Sequence, residues 1–173
     1  MRRALPVVSA FLLGVPASCG AASDQGGASI ATNAVQSGEP LAVVELVDLD
    51  GMTRSSLEFT GRPLVVNFWY ASCEPCKREM PLLAEFFDER GDEVAVLGVN
   101  MGDTRTVAAN FAQNYAVGFP VLLDDEGVLS SAMRIGLAPT TLFVAPDGTV
   151  IDQVAGELTR DELEDAVARI SGP

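Results

Sequence analysis

The stretch PLVVNFWYASCEPCKREMP, residues 63–81, runs an apolar segment directly into a C-x-x-C pair and then into a helical pattern. Val65, Val66, Phe68 and Trp69 make that segment read as a strand buried on both faces. Met80, Leu83, Ala84 and Phe87 recur at helical spacing, so the residues after the cysteines read as an amphipathic helix. A doubly buried strand needs cover on each side, which restricts the chain to a layered α/β architecture.

The remaining segments agree. LAVVELVDLDGM, from Leu41, reads as a strand entering an Asp50-Gly51 turn. EVAVLGVN from Glu93 reads as a second buried strand, Thr104 to Tyr115 as a helix, PVLLDD from Pro120 as a short strand, and Glu126 to Ile135 as another helix. TTLFVAPDGTVIDQV, from Thr140, is a hairpin turning at Pro146, Asp147 and Gly148. The last element opens on a capping box, Thr159 with Glu162, and lines one face with Leu163, Ala166, Val167 and Ile170. Alternating strands and helices ending in a hairpin and a helix predict a central mixed sheet with helices on both sides. There are no internal repeats, and 173 residues fit one domain with some tail.

Charge and histidine content exclude several functions. A net charge of -13 without a Lys/Arg cluster argues against nucleic acid as a partner. The chain has no histidine, which removes the commonest metal ligand and the commonest general base. That also argues against a copper chaperone with a Cys/His site.

The N-terminus differs from the rest. Arg2 and Arg3 precede an apolar run from Ala4 to Val15 and then small residues, which reads as an export signal over residues 1–19. The run is too short to favour a membrane-spanning helix. VPASCG is similar to a bacterial lipoprotein cleavage site, in which Cys19 would carry the lipid anchor, although Pro16 stands where that pattern prefers leucine. GAA at Gly20 to Ala22 is the competing site for an ordinary signal peptidase. Residues 20–40, rich in Gly, Ser, Ala and Asn, read as a flexible linker, with the domain over 41–173.

Export sharpens the cysteine arithmetic. With Cys19 lipidated, Cys73 and Cys76 remain as a pair oxidisable outside the cytoplasm. Structural zinc needs four ligands, and no second cysteine pair or histidine supplies them. A purely structural disulfide would close too short a loop to remove much unfolded-state entropy. Redox chemistry is the reading that remains best supported, with no cofactor required. Cys73 sits just before a helix whose free N–H groups and dipole favour a thiolate, so it is the expected attacking sulfur. Cys76, one turn in and on the buried face, would resolve the mixed disulfide. Pro75 at the helix start costs no hydrogen bond the helix needs. Glu74, between the sulfurs, is expected to oppose thiolate formation at Cys73 and so favour a reductant. Glu79 is expected at the edge of the inward helix face, partly buried, with its pKa raised.

A buried strand ending in NFWYASC, a C-x-x-C opening a helix, and APTT entering the next hairpin together resemble the thioredoxin fold. CEPCKREMP, the LDG turn upstream and the 63 positions separating Cys76 from Pro139 are similar to the membrane-tethered thiol-disulfide oxidoreductases of the TlpA and ResA type. The likeness covers roughly Leu41 to Ile170. It implies a thioredoxin-like fold with an N-terminal β-hairpin and an inserted α/β element within Thr104 to Ile135. It further implies that Glu79, matching the carboxylate of CxxCxxExP, assists proton transfer. Asn67 stands where thioredoxins carry a buried aspartate and cannot titrate. Trp69 is read either as a shield for the site or as a core aromatic. Pro139 is implied to follow a cis peptide, with Ala138 and Thr140 beside it offering backbone to an extended client segment.

The expected function is an extracytoplasmic thiol-disulfide oxidoreductase, lipid-anchored to the cell membrane or else secreted or periplasmic. It would reduce disulfides of exported clients, for example apocytochromes c, and draw electrons from a membrane or extracytoplasmic dithiol donor. An exported disulfide-forming oxidase and a non-catalytic docking module are the alternatives. A peroxiredoxin-type peroxidase is disfavoured by the thioredoxin position of the cysteines.

Overall fold

A computed structural model of the chain describes Met1 and residues 33–172. The expected export signal, Cys19 and the first part of the linker lie outside the described residues. The elements are β1 (Glu45–Asp48), β2 (Thr53–Ser55), a short 3-10 helix (Ser56–Phe59), β3 (Leu64–Trp69), α1 (Glu74–Arg90), β4 (Ala95–Asn100), α2 (Arg105–Asn114), β5 (Val121–Leu123), α3 (Val128–Ala132), β6 (Thr140–Val144), β7 (Val150–Ala155) and α4 (Arg160–Ile170). They form one seven-stranded sheet in the order β2-β1-β5-β4-β3-β6-β7. β4 runs parallel to β3 and β5, and the other pairs are antiparallel. This is the mixed, helix-flanked α/β sheet expected from the sequence.

Strand alternation sorts the core into two layers. Val65 and Trp69 of β3 face one side and pack with Met80, Leu83 and Phe86 of α1, Phe111 of α2, and Leu163, Val167 and Ile170 of α4. Leu64, Val66 and Phe68 face the other and pack with Leu97, Val99, Leu129, Met133 and Leu142. Both cysteines belong to the first layer. The same alternation assigns Asn67 and Thr141, which are register partners across β3 and β6, to the α1 side.

Four sequence readings need correction. Residues 33–40, read as the end of a flexible linker, are bonded along the outer edge of β7. Gly38 N–H donates to Val150 O at 2.7 Å, Val150 N–H to Glu39 O at 2.9 Å, and Leu41 N–H to Gly148 O at 2.8 Å. An edge strand's free backbone groups supply this order, which side-chain periodicity does not record. The helix read over Glu126 to Ile135 shrinks to Val128–Ala132, because left-handed Gly127 (φ 68°) precedes it and left-handed Arg134 (φ 52°) follows. The buried Asp124 caps it, accepting from Leu129 N–H at 3.0 Å and Ser130 N–H at 2.8 Å. On α1, Phe86 is fully buried, whereas Phe87 is only partly so and meets Phe119 edge-on at 5.9 Å. Glu79, placed at the edge of the inward face, is instead in the interior.

Candidate active site

α1 begins where β3 ends, at the edge of the parallel strands. Cys73 is its N-cap, and Cys73 Sγ accepts a hydrogen bond from Cys76 N–H at 3.2 Å. Pro75 lies in the first turn, where a missing N–H is harmless. The two cysteines form a disulfide. Cys73 is 3 % exposed and Cys76 wholly buried, which leaves the N-terminal sulfur as the accessible one.

The loop before Cys73 is pinned from β4. Asp103 Oδ2 accepts from Ala71 N–H at 2.6 Å and from Asn100 Nδ2 at 2.9 Å, while Asp103 N–H donates to Asn100 Oδ1 at 3.2 Å. Asn100 is fully buried and faces Trp69 in the strand register. Sequence reasoning missed this pair. Its signal was the asparagine closing an otherwise apolar strand, a polar group that must find a partner once buried.

Trp69 is a core aromatic. It is fully buried and stacks on Phe111 with ring centroids 4.4 Å apart. Such a pair contributes about 0.5–1.5 kcal/mol beyond the area it buries. Gly98 leaves room for it, since a Cβ there would stand 3.0 Å from Trp69 Nε1.

Glu79, 1 % exposed, is one helical turn beyond Cys76 on the same buried face. Its Oε1 accepts from Asn67 Nδ2 at 2.7 Å and its Oε2 from Leu158 N–H at 2.9 Å. Asn67 Nδ2 also reaches Thr141 Oγ1 at 3.0 Å. Asn67 Oδ1 is buried and has no partner among the described residues. Burial pushes the Glu79 carboxyl up to about 7, against the opposing pull of the two N–H donors. Near neutral pH this side chain can therefore hold or release a proton one helical turn from Cys76. The free Asn67 carbonyl is the acceptor that a protonated Glu79 would need, reached by turning the amide over.

Glu74 points away from this interior. Its side chain is 72 % exposed and bonded to Lys77 Nζ at 2.6 Å. The Lys77 hydrogen bond holds its carboxyl below the ordinary value. A solvated acid paired with a lysine projects little field, so the expected opposition of Glu74 to the Cys73 thiolate is largely cancelled.

The peptide between Ala138 and Pro139 is cis, as the resemblance implied. Ala138 packs against the layer that contains both cysteines. Pro139 O accepts from Gly156 N–H at 2.9 Å. Thr140 is buried; its hydroxyl donates to Leu137 O at 2.8 Å and accepts from Asn33 Nδ2, and its backbone lies within the sheet between Phe68 of β3 and Ala155 of β7, which leaves Ala138 as the client-facing candidate of the three. Cys73, Cys76, Glu79 and Asn67 thus gather on one face of the sheet, with Ala138 against the same layer.

The chain is similar to known proteins over most of the domain. Residues 37–153 match the AhpC/TSA family. The thiol-disulfide oxidoreductase ResA of Bacillus subtilis is 32% identical over 121 residues, covering 69% of this chain and 68% of ResA. Among solved structures, MTB DsbF superimposes with a TM-score of 0.69 at 29% identity, covering 73% of this chain and 94% of that one. A secreted Mycobacterium tuberculosis disulfide oxidoreductase homologous to E. coli DsbE gives 0.65 at 25% identity, over 73% of this chain and 95% of that one. The match to the family over most of the domain, the likeness to ResA and the Cys73–Cys76 pair together show that the chain belongs to the AhpC/TSA family, has a thioredoxin-like fold and is a thiol-disulfide oxidoreductase of the ResA kind.

Proposed function

We propose that this enzyme works outside the cytoplasm as a reductant of disulfides in exported proteins, with apocytochromes c as the expected clients. One observation carries the direction. Among the described residues the buried charged side chains are Glu79 and Asp124, and no lysine or arginine is buried beside the sulfurs. A strong oxidant stabilises its thiolate, whereas an acidic interior leaves the disulfide as the favoured state, so the dithiol gives up its electrons readily. In turnover the Cys73 thiolate attacks a client sulfur, and the client's other sulfur leaves and takes a proton. Cys76 then gives its proton to Glu79 and attacks Cys73 Sγ, releasing the second client sulfur. The products are a reduced client and the Cys73–Cys76 disulfide.

The export signal, lipidation of Cys19 and a tether beyond it complete the reading, supported by residues 2–22 and by the likeness to a secreted Mycobacterium tuberculosis disulfide oxidoreductase. The electron donor would be a membrane or extracytoplasmic dithiol. The test offers the reduced protein an oxidised C-x-x-C-H peptide in equimolar amount. The expected outcome is peptide dithiol as the main product; an equilibrium lying toward the enzyme's own dithiol would favour the oxidase. Mass spectrometry of the mature N-terminus should show a lipid-modified Cys19 as the first residue, and a start at Ala21 or Ala22 would remove the anchor.

A further inference from the structure

The chain enters the domain beside the cis-proline loop. Asn33 Oδ1 accepts from both Gly136 N–H at 2.8 Å and Leu137 N–H at 2.9 Å. Among the described residues neither amide has another partner. Asn33 Nδ2 donates to Thr140 Oγ1 at 2.5 Å and, more weakly, to Leu137 O at 3.4 Å. Ala34 N–H adds a bond to Arg134 O at 3.2 Å. One carboxamide thus reproduces, for this loop, the bonds a neighbouring strand would give it. The asparagine is itself held, because the next residues are fastened to β7: Gln36 N–H to Gln153 Oε1 at 3.1 Å and Ser37 Oγ to Ile151 O at 2.9 Å.

The loop it clamps needs clamping. Leu137 is 50 % exposed, and Arg134 sits in the left-handed region. Apart from the Asn33 contacts, three bonds hold it: Ile135 N–H to Ser130 O at 2.8 Å and Gly156 N–H to Pro139 O at 2.9 Å at its ends, and the Thr140 hydroxyl to Leu137 O at 2.8 Å within it. A loop with so few fixed backbone groups would sample several conformations, and a client pairing with it would have to select one.

We propose that Asn33 is a positioning residue for client binding: its carboxamide fixes residues 136–140 in the conformation that presents the backbone around Pro139 to a disulfide-bearing client. The segment leading in from the N-terminal tether thereby sets client affinity without touching the sulfurs. This rests on reading the backbone at Ala138, beside the cis-proline, as client-binding.

The experiment uses the full-length chain in its reduced form and follows single turnovers with two oxidants, insulin as a protein disulfide and glutathione disulfide as a small one. Asn33→Ala should raise the half-saturating insulin concentration on the order of tenfold, the scale of one or two lost hydrogen bonds. The maximal rate, the rate with glutathione disulfide and the reduction potential should stay within about twofold or unchanged. Asn33→Asp keeps both acceptors for Gly136 and Leu137 and should recover most of the affinity, which guards against a loss caused by misfolding. Ala138→Asp separates the two readings. If it raises half-saturation while Asn33→Ala does not, the positioning role fails and the binding site stands. If neither changes it, the client-binding reading itself fails and takes the proposal with it. An equal loss with both oxidants in Asn33→Ala, unrelieved in Asn33→Asp, would show a general structural role and overturn the proposal.

Discussion

Cys73→Ser should abolish turnover, by at least about a thousandfold, while Cys76→Ser should stop after one half-reaction and accumulate protein–client mixed disulfides. The asymmetry follows from the site. Cys73 caps the helix and keeps a small exposed fraction, whereas Cys76 has no exposed surface through which a client sulfur could reach it. An attacking thiol must be accessible and gain its charge near a helix N-terminus, and a resolving thiol need only reach its neighbour. The check is non-reducing electrophoresis of both variants after exposure to oxidised clients. Equal trapping by the two would contradict the assignment of roles. The catch from Cys76→Ser also identifies clients, and an excess of C-x-x-C-H proteins would support cytochrome c maturation.

Glu79→Gln is expected to slow the resolving step by about a hundredfold at pH 8, the usual scale for loss of a positioned acid or base. The wild-type rate should rise as pH passes about 7, where Glu79 becomes a carboxylate able to take the Cys76 proton; the variant should lack that limb. Stability should move the other way. The folded-state pKa lies above the ordinary carboxylate value of 4.5, so between the two the native state binds more protons than the unfolded one. Stability from this group is present below about pH 4.5 and lost as pH rises through about 7. The loss amounts to about 3 kcal/mol. Glutamine carries no charge, can accept from Leu158 N–H and can donate its amide to the free Asn67 Oδ1. Glu79→Gln should therefore match wild type in unfolding free energy at pH 4 and exceed it at pH 8, as denaturant titrations at the two pH values would show. Identical rates across pH 5 to 9 would remove Glu79 from the proton path.

What the sequence disclosed and what it withheld follow from the range of the interactions concerned. The place of the cysteine pair at a helix start, the buried β3 and the capping box of α4 depend on neighbours within a turn or on strand alternation, and they are readable. The depth of Glu79 is not, because the helix wheel puts it at an edge and the backbone of Leu158, 79 residues away, closes over it. Glu74 is near the sulfurs in sequence, while its partner Lys77 holds it in water. Asn33 was assigned to the linker by composition. Its bonds go to residues more than a hundred positions away, and no local pattern marks them. Thr141, near the start of β6 and followed by Leu142, Phe143 and Val144, carries a faint signal: a hydroxyl on the inward face must find a partner, and Asn67 is that partner.

The reduction potential of the Cys73/Cys76 couple tests the proposed direction of electron flow most directly. It is measured by equilibrating the protein with defined ratios of reduced and oxidised dithiol buffer at pH 7. An interior whose buried charged groups, among the described residues, are acids predicts a value near that of thioredoxin, about -270 mV. A value near about -120 mV, that of a strong oxidant, would contradict the account and make the enzyme a donor of disulfides.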